Sequence, residues 1–188
     1  GGCMLLIPGG GYQGCGGEWI DATAKRFTEE GFVCVRLTYR TPRPKGLPIH
    51  QTAWEDGQRA VRLVRSEAQK RGFNPEKIGV IGASAGAHLS ILLATSSLTP
   101  AYEAIDPIDA IPCHVNWAAL ACSAYVLTDG LTGRNQRDGD AADVKLSDVF
   151  KFDAKTCPIA LFHGGEDVYS PNGSTQIYRQ LRRMNIPA

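Results

Sequence analysis

Residues 77–89 read Lys77-Ile78-Gly79-Val80-Ile81-Gly82-Ala83-Ser84-Ala85-Gly86-Ala87-His88-Leu89. Lys77 to Gly82, apolar after the lysine, predicts a strand, and Leu89, Leu92 and Leu93 then recur at helical spacing to about Ser96. Between strand and helix stands Gly82-Ala83-Ser84-Ala85-Gly86, a G-x-S-x-G pattern where the chain must turn sharply. A serine on such a turn takes a strained backbone, and the positions two residues to either side must lack bulk so that strand and helix can approach. Gly82 and Gly86 meet that demand.

Outward from this unit, apolar runs at residues 4–7, 32–39, 115–122 and 158–162 alternate with helical patterns, which predicts a doubly wound, mostly parallel α/β sheet. Ile20, Ala24 and Phe27 recur at three- and four-residue spacing, with Gly31 suited to the left-handed position past a helix end. Thr52 and Glu55 have the spacing of a capping box, ahead of an apolar face of Ala53, Ala60, Val61, Val64 and Ala68 that runs to Arg71-Gly72. Ser170-Pro171 opens a last helix with Ile177, Tyr178, Leu181 and Met184 toward the core. Residues 127–153 carry little apolar periodicity and predict a long, lid-like loop. Its Asp138, Asp140 and Asp143 lack the spacing of a calcium loop and read as a solvated acidic stretch. No repeat or second domain interrupts residues 1–188, so one domain is expected.

Composition narrows the function classes. The 188 residues are 43% hydrophobic and 21% charged, the profile of a water-soluble globular domain, and a chain of this length buries roughly 70% of its unfolded surface without staples. Twenty Lys plus Arg against 19 Asp plus Glu leave a net charge of +1, with no basic excess to neutralise phosphates; nucleic acid is not an expected partner. No apolar run approaches the roughly 18 residues of a membrane helix, so no membrane partner is expected either. The six cysteines form no C-x-x-C pair and no zinc spacing, which predicts no metal site; Cys34, Cys122 and Cys157 read as small buried hydrophobes. The chain does not begin with Met, and its compartment stays open.

Acyl transfer at a serine needs hydrogen-bond donors aimed at the developing oxyanion, each worth about 3 to 4 kcal/mol. Pro8-Gly9-Gly10-Gly11-Tyr12, at the end of the first strand, offers exposed backbone N–H groups; Ala85, next after the serine, offers another. The orienting acid should leave a later strand. Asp167, in His163-Gly164-Gly165-Glu166-Asp167, has that place, with Glu166 its neighbouring competitor and Asp148 and Asp153 weaker alternatives. Tyr12 and Trp19 either wall the site for a sugar or phenolic ring or belong to the core.

In these three blocks and their order the chain resembles the α/β-hydrolase superfamily, and within it small microbial esterases such as acetyl xylan esterases and feruloyl-esterase-like proteins. The resemblance runs over nearly all of the sequence. It implies a serine esterase acting on small-molecule or carbohydrate esters without a cofactor, with Ser84 as nucleophile, Asp167 as acid, and Gly10, Gly11 and Ala85 as oxyanion donors. A serine peptidase of the same superfamily and a non-catalytic binding relative are the alternatives.

In that superfamily a histidine follows the acid, yet His50, His88, His114 and His163 all precede Asp167. His88 lies one helical turn after Ser84 and is expected to pack inward; His163 is expected to order the acid's loop. The expectation is therefore a domain incomplete at both ends, with the catalytic histidine beyond Ala188. The 188-residue chain alone would then be aggregation-prone and nearly inactive.

Overall fold

A computed structural model describes residues 1–128 and 145–188. Five strands, β1 (Cys3–Ile7), β2 (Val33–Arg36), β3 (Ile78–Ala83), β4 (Trp117–Ala121) and β5 (Ile159–Phe162), form one sheet in the order β2-β1-β3-β4-β5. Every neighbouring pair is parallel. The α-helices are α1 (Trp19–Glu29), α2 (Gln51–Ser66), α3 (Ala68–Arg71), α4 (Ala85–Thr95) and α5 (Asn172–Arg183), with a 3₁₀ turn at Pro107–Ala110. This is the expected α/β architecture.

A parallel sheet needs apolar side chains on both faces, and β1 supplies them: Cys3, Met4, Leu5, Leu6 and Ile7 are all fully buried. Leu5 and Ile7 join the main core with Val80, Leu120, Ile159 and residues of α4 and α5. Met4 and Leu6 point the other way, into a smaller cluster with Ile20 of α1. Helix α4 is buried at every position, because it lies between the sheet and α2.

Past α1 no element among the described residues covers the second face. Trp19, Phe27, Ile81, Trp117, Ala160 and Phe162 line an apolar groove of about 850 Å³ there. No helix among the described residues is long and apolar enough to cross a membrane.

Several local expectations differ from the structure. Helix α2 begins at Gln51, so Thr52 lies inside it and caps nothing; Glu55 is taken by Arg40, 2.7 Å away. The helical run to Gly72 breaks at Glu67 into α2 and α3, and Gly72 takes the left-handed conformation. Strand β2 ends at Arg36, because its partner β1 gives way to Pro8 and the glycine turn. Tyr178 is 44% exposed, and Cys34 and Cys122 are only half-buried, leaving Cys157 as the fully buried member of that trio. The expected lid at 127–153 falls mostly on residues outside those described, Asp138, Asp140 and Asp143 among them; its stem is closed by an antiparallel bridge between Leu127 and Leu146.

Candidate active site

Parallel strands end on one side of the sheet, so the segments after β1, β3, β4 and β5 share that edge. Ser84 follows β3 with φ 55° and ψ −121°, a region that side chains rarely adopt. Its N–H donates to Ala121 O at 3.0 Å, and its carbonyl accepts from His88 N–H at 3.1 Å, the first turn of α4. The flanking glycines are there for space. A methyl on Gly82 would stand 2.2 Å from Gly86 O, and one on Gly86 would stand 2.2 Å from Ile7 O and 2.6 Å from Pro8 O. Ser84 is therefore held up at the bend by strand and helix backbones in direct contact.

The glycine turn after β1 lies against this bend. A methyl on Gly9 would be 3.2 Å from Ser84 Cβ and 2.9 Å from Ala83 O. Gly10, Gly11 and Tyr12 follow with φ of 118°, 60° and 62°, and Gln13 N–H closes the turn on Gly10 O at 2.9 Å. Two buried tyrosines pin it. Tyr39 donates its hydroxyl to Pro8 O at 2.9 Å, and the Tyr12 hydroxyl shares a 2.7 Å hydrogen bond with His88 Nδ1. The Tyr12 side chain is 1% exposed, so it belongs to the core and walls no site. Trp19 faces the groove on the opposite side of the sheet. The aromatic residue beside the glycine turn is Tyr125, whose hydroxyl faces Gly11 and whose ring lies 5.7 Å from Tyr169.

Asp167 sits after β5, one strand beyond β4 from Ser84. Cys122 N–H donates to Phe162 O at 2.8 Å, tying the ends of β4 and β5 together ahead of the acid's loop. Within that loop Tyr169 N–H donates to Asp167 Oδ1 at 2.9 Å. Burial works to raise the Asp167 carboxyl, but the Tyr169 N–H, the Cys122 thiol, nearby His163 and the Val168 N–H together hold it below the ordinary carboxylate range. Glu166 is exposed, whereas Asp167 is half-buried. Asp153 accepts from Leu98 and Lys155 N–H groups, a structural use away from this edge.

Histidine positions follow the sequence reading in part. His88 is 2% exposed and bonded to Tyr12. His163 lies within hydrogen-bond distance of Ser174 Oγ through Nδ1 (2.8 Å) and Tyr169 O through Nε2 (3.0 Å), so it ties the acid's loop to α5. Sequence reasoning missed Tyr125, at φ 57° after β4, and buried His50, which packs 5.4 Å from the His88 ring. Neither carries a local motif. Among the described residues no group of three His, Cys, Asp or Glu side chains is arranged to hold a metal.

Known proteins share this architecture. The acetyl ester-xyloside bifunctional hydrolase of Caldicellulosiruptor lactoaceticus superposes with a TM-score of 0.80 at 24% identity, over 99% of this chain and 70% of that one. An esterase of Thermogutta terrifontis superposes with a TM-score of 0.77 at 22% identity, over 99% and 69%. In sequence, an endo-1,4-beta-xylanase B of Butyrivibrio fibrisolvens is 29% identical over 98% of this chain and 30% of its own length. An acetylxylan esterase of Xylanibacter ruminicola is 29% identical over 50% and 19%. The chain thus spans less than a third of the curated relatives it matches. The fold is that of the α/β-hydrolases. The glycine turn and the serine bend both fall within residues 2–110, more than half of the chain, and it is this stretch that places the protein in the BD-FAE family.

Proposed function

We propose that this chain carries the nucleophile, acid and oxyanion cradle of a serine carboxylic-ester hydrolase that removes short acyl groups, acetyl foremost, from carbohydrate esters. The observation that carries the reading is Ser84 at φ 55° and ψ −121°, on a strand-to-helix bend packed against the Gly9 turn. Ser84 Oγ attacks the ester carbonyl, forming an acyl–oxygen bond as the carbonyl oxygen takes negative charge. N–H groups of Gly10, Gly11 and Ala85 receive that charge. The ester C–O bond then breaks, the alcohol leaves with a proton, and water releases the acyl group as a carboxylic acid.

Asp167, held ionised by its donors, serves to orient the imidazole that takes the Ser84 proton. His88 and His163 are committed to Tyr12 and to the acid's own loop. We assign the base to a histidine following Asp167 in the full-length protein, by the chain order serine, acid, histidine. The carbohydrate part of the reading is supported by the similar proteins named for acetylxylan and acetyl ester-xyloside hydrolysis.

Mass spectrometry of the full-length protein after a fluorophosphonate probe is the test. An adduct on the Ser84 peptide, lost in Ser84→Ala, is expected. Absence of any adduct would leave a scaffold that binds without catalysis.

A further inference from the structure

Behind the glycine turn, on the α4 face, lies a cavity of about 210 Å³ bordered by His50, His88, Tyr125, Thr128 and Ser147. A wider space of about 540 Å³, bordered by Trp54 and sharing His50, Thr128 and Ser147 with the first, lies beside it. The cavity is next to the serine bend by two routes: His88 begins its bonding at the Ser84 carbonyl, and the Tyr125 ring stacks on Tyr12, 6.2 Å away.

The polar groups here lack partners. His50 is 6% exposed, yet neither of its ring nitrogens makes a hydrogen bond among the described residues, and it borders both spaces. The Trp54 indole N–H, 8% exposed as a residue, is buried without a partner. His88 spends Nδ1 on Tyr12, and its Nε2 has no protein partner among the described residues. Two imidazoles thus border the inner cavity with ring nitrogens unpaired among the described residues, and an occupant able to donate and accept hydrogen bonds would pair them.

The chemistry of that occupant follows from the inventory. Burial keeps both imidazoles neutral, so His50 presents one donor and one acceptor, and His88 presents Nε2, a donor or an acceptor according to its tautomer. Among the described residues no Lys, Arg, Asp or Glu borders the inner cavity; Asp148 and Lys151, both exposed, border only the wider space. A carboxylate would find no cation inside, and an alkyl chain would leave the nitrogens unpaired. Hydroxyl groups, which donate and accept at once, fit. The inner volume is below the roughly 300 Å³ at which drug-sized pockets begin, room for a single small ring.

We propose that His50 and His88 form a subsite for one neutral sugar ring of the saccharide being deacylated. The assignment rests on the ester-hydrolase reading only for its link to catalysis. Xylobiose binding to the full-length protein, followed by calorimetry, tests the subsite without turnover. Wild-type protein should bind, His50→Phe should weaken binding at least tenfold, and His50→Gln, which restores a donor and an acceptor, should recover part of it. Ser147→Leu, which fills the cavity from its rim, should weaken binding as much and decides the matter should His50→Phe fail to fold. In turnover, the ratio of kcat/KM for acetylated xylobiose over p-nitrophenyl acetate should fall at least tenfold in either variant, through KM. No binding by wild type, or binding indifferent to both substitutions, overturns the subsite. Equal losses on both esters overturn it too. Sensitive xylobiose binding with no hydrolysis of either ester would keep the subsite and remove the esterase reading.

Discussion

Tyr12 and His88, 76 residues apart in sequence, share a buried hydrogen bond of 2.7 Å that fastens the glycine turn to the first turn of α4. The bond joins the two segments whose mutual placement a serine hydrolase depends on. Burial raises the Tyr12 hydroxyl well above its ordinary range and lowers His88 well below its own, so both stay neutral and the bond persists at any physiological pH.

Tyr12→Phe removes one partner and leaves His88 Nδ1 buried and unpaired, which should cost about 1–3 kcal/mol. Urea unfolding checks this, with the midpoint lowered and the slope unchanged. Adding His88→Phe should cost less than the sum of the single changes, because the orphaned nitrogen is then gone; strict additivity in the double-mutant cycle would deny the coupling.

Ser84 offers a test of stored strain. Ser84→Gly relieves a backbone conformation that costs about 1–3 kcal/mol, against a loss of about 0.4–1 kcal/mol from a looser unfolded chain. The net expectation is a stabilisation of about 1 kcal/mol. Ser84→Ala keeps the strained backbone and should show none of that gain, so equal unfolding midpoints for the two variants would mean that the bend is relaxed.

The parts of the site legible in the sequence are those set by local sterics. Gly82 and Gly86 are required wherever a strand and a helix touch through backbone atoms, and they stand two residues either side of Ser84 in any such bend. Asp167 could be placed by counting β-α units. Tyr125 and His50 could not, because their meeting with Tyr12 and His88 depends on how distant segments pack. The capping reading at Thr52 failed for a similar reason: Arg40, from the preceding connection, competes for Glu55. Tyr178 was misplaced for a geometric reason. Ile177 and Leu181, four apart, share the inward stripe of α5, and the residue after Ile177 is turned about 100° away from it.

Acid should destabilise the fold in two separate windows. Burial lowers His50 to about 4, from an unfolded value of about 6.5. The unfolded chain therefore binds the proton first, and the stability tied to neutral His50 is complete above about pH 6.5 and lost as pH falls toward 4. The two values set the size at roughly 3 kcal/mol. Asp167, whose carboxyl is depressed, acts lower: its contribution is intact above about pH 3.9 and disappears below. Urea midpoints measured from pH 7.5 to 4.5 should fall, and His50→Phe should flatten that fall. A slope the same in the variant would show that His50 titrates normally.

The open face beside α1 has its own signature. Phe162 is 62% exposed at the end of β5, and it continues the apolar surface of Ala160, Trp117 and Ile81 into a groove on the side of the sheet away from Ser84. Contiguous apolar surface of this kind holds hydrophobic dyes, whereas singly scattered apolar residues do not. The 188-residue chain should therefore enhance anilinonaphthalene sulfonate fluorescence at neutral pH while keeping native secondary structure. Phe162→Glu paired with Ala160→Glu places two charges in the groove and should remove most of the signal, with little effect on stability because both positions already face water. Enhancement that survives the double substitution would locate the dye elsewhere, and a chain that gives none would mean this face is covered in solution.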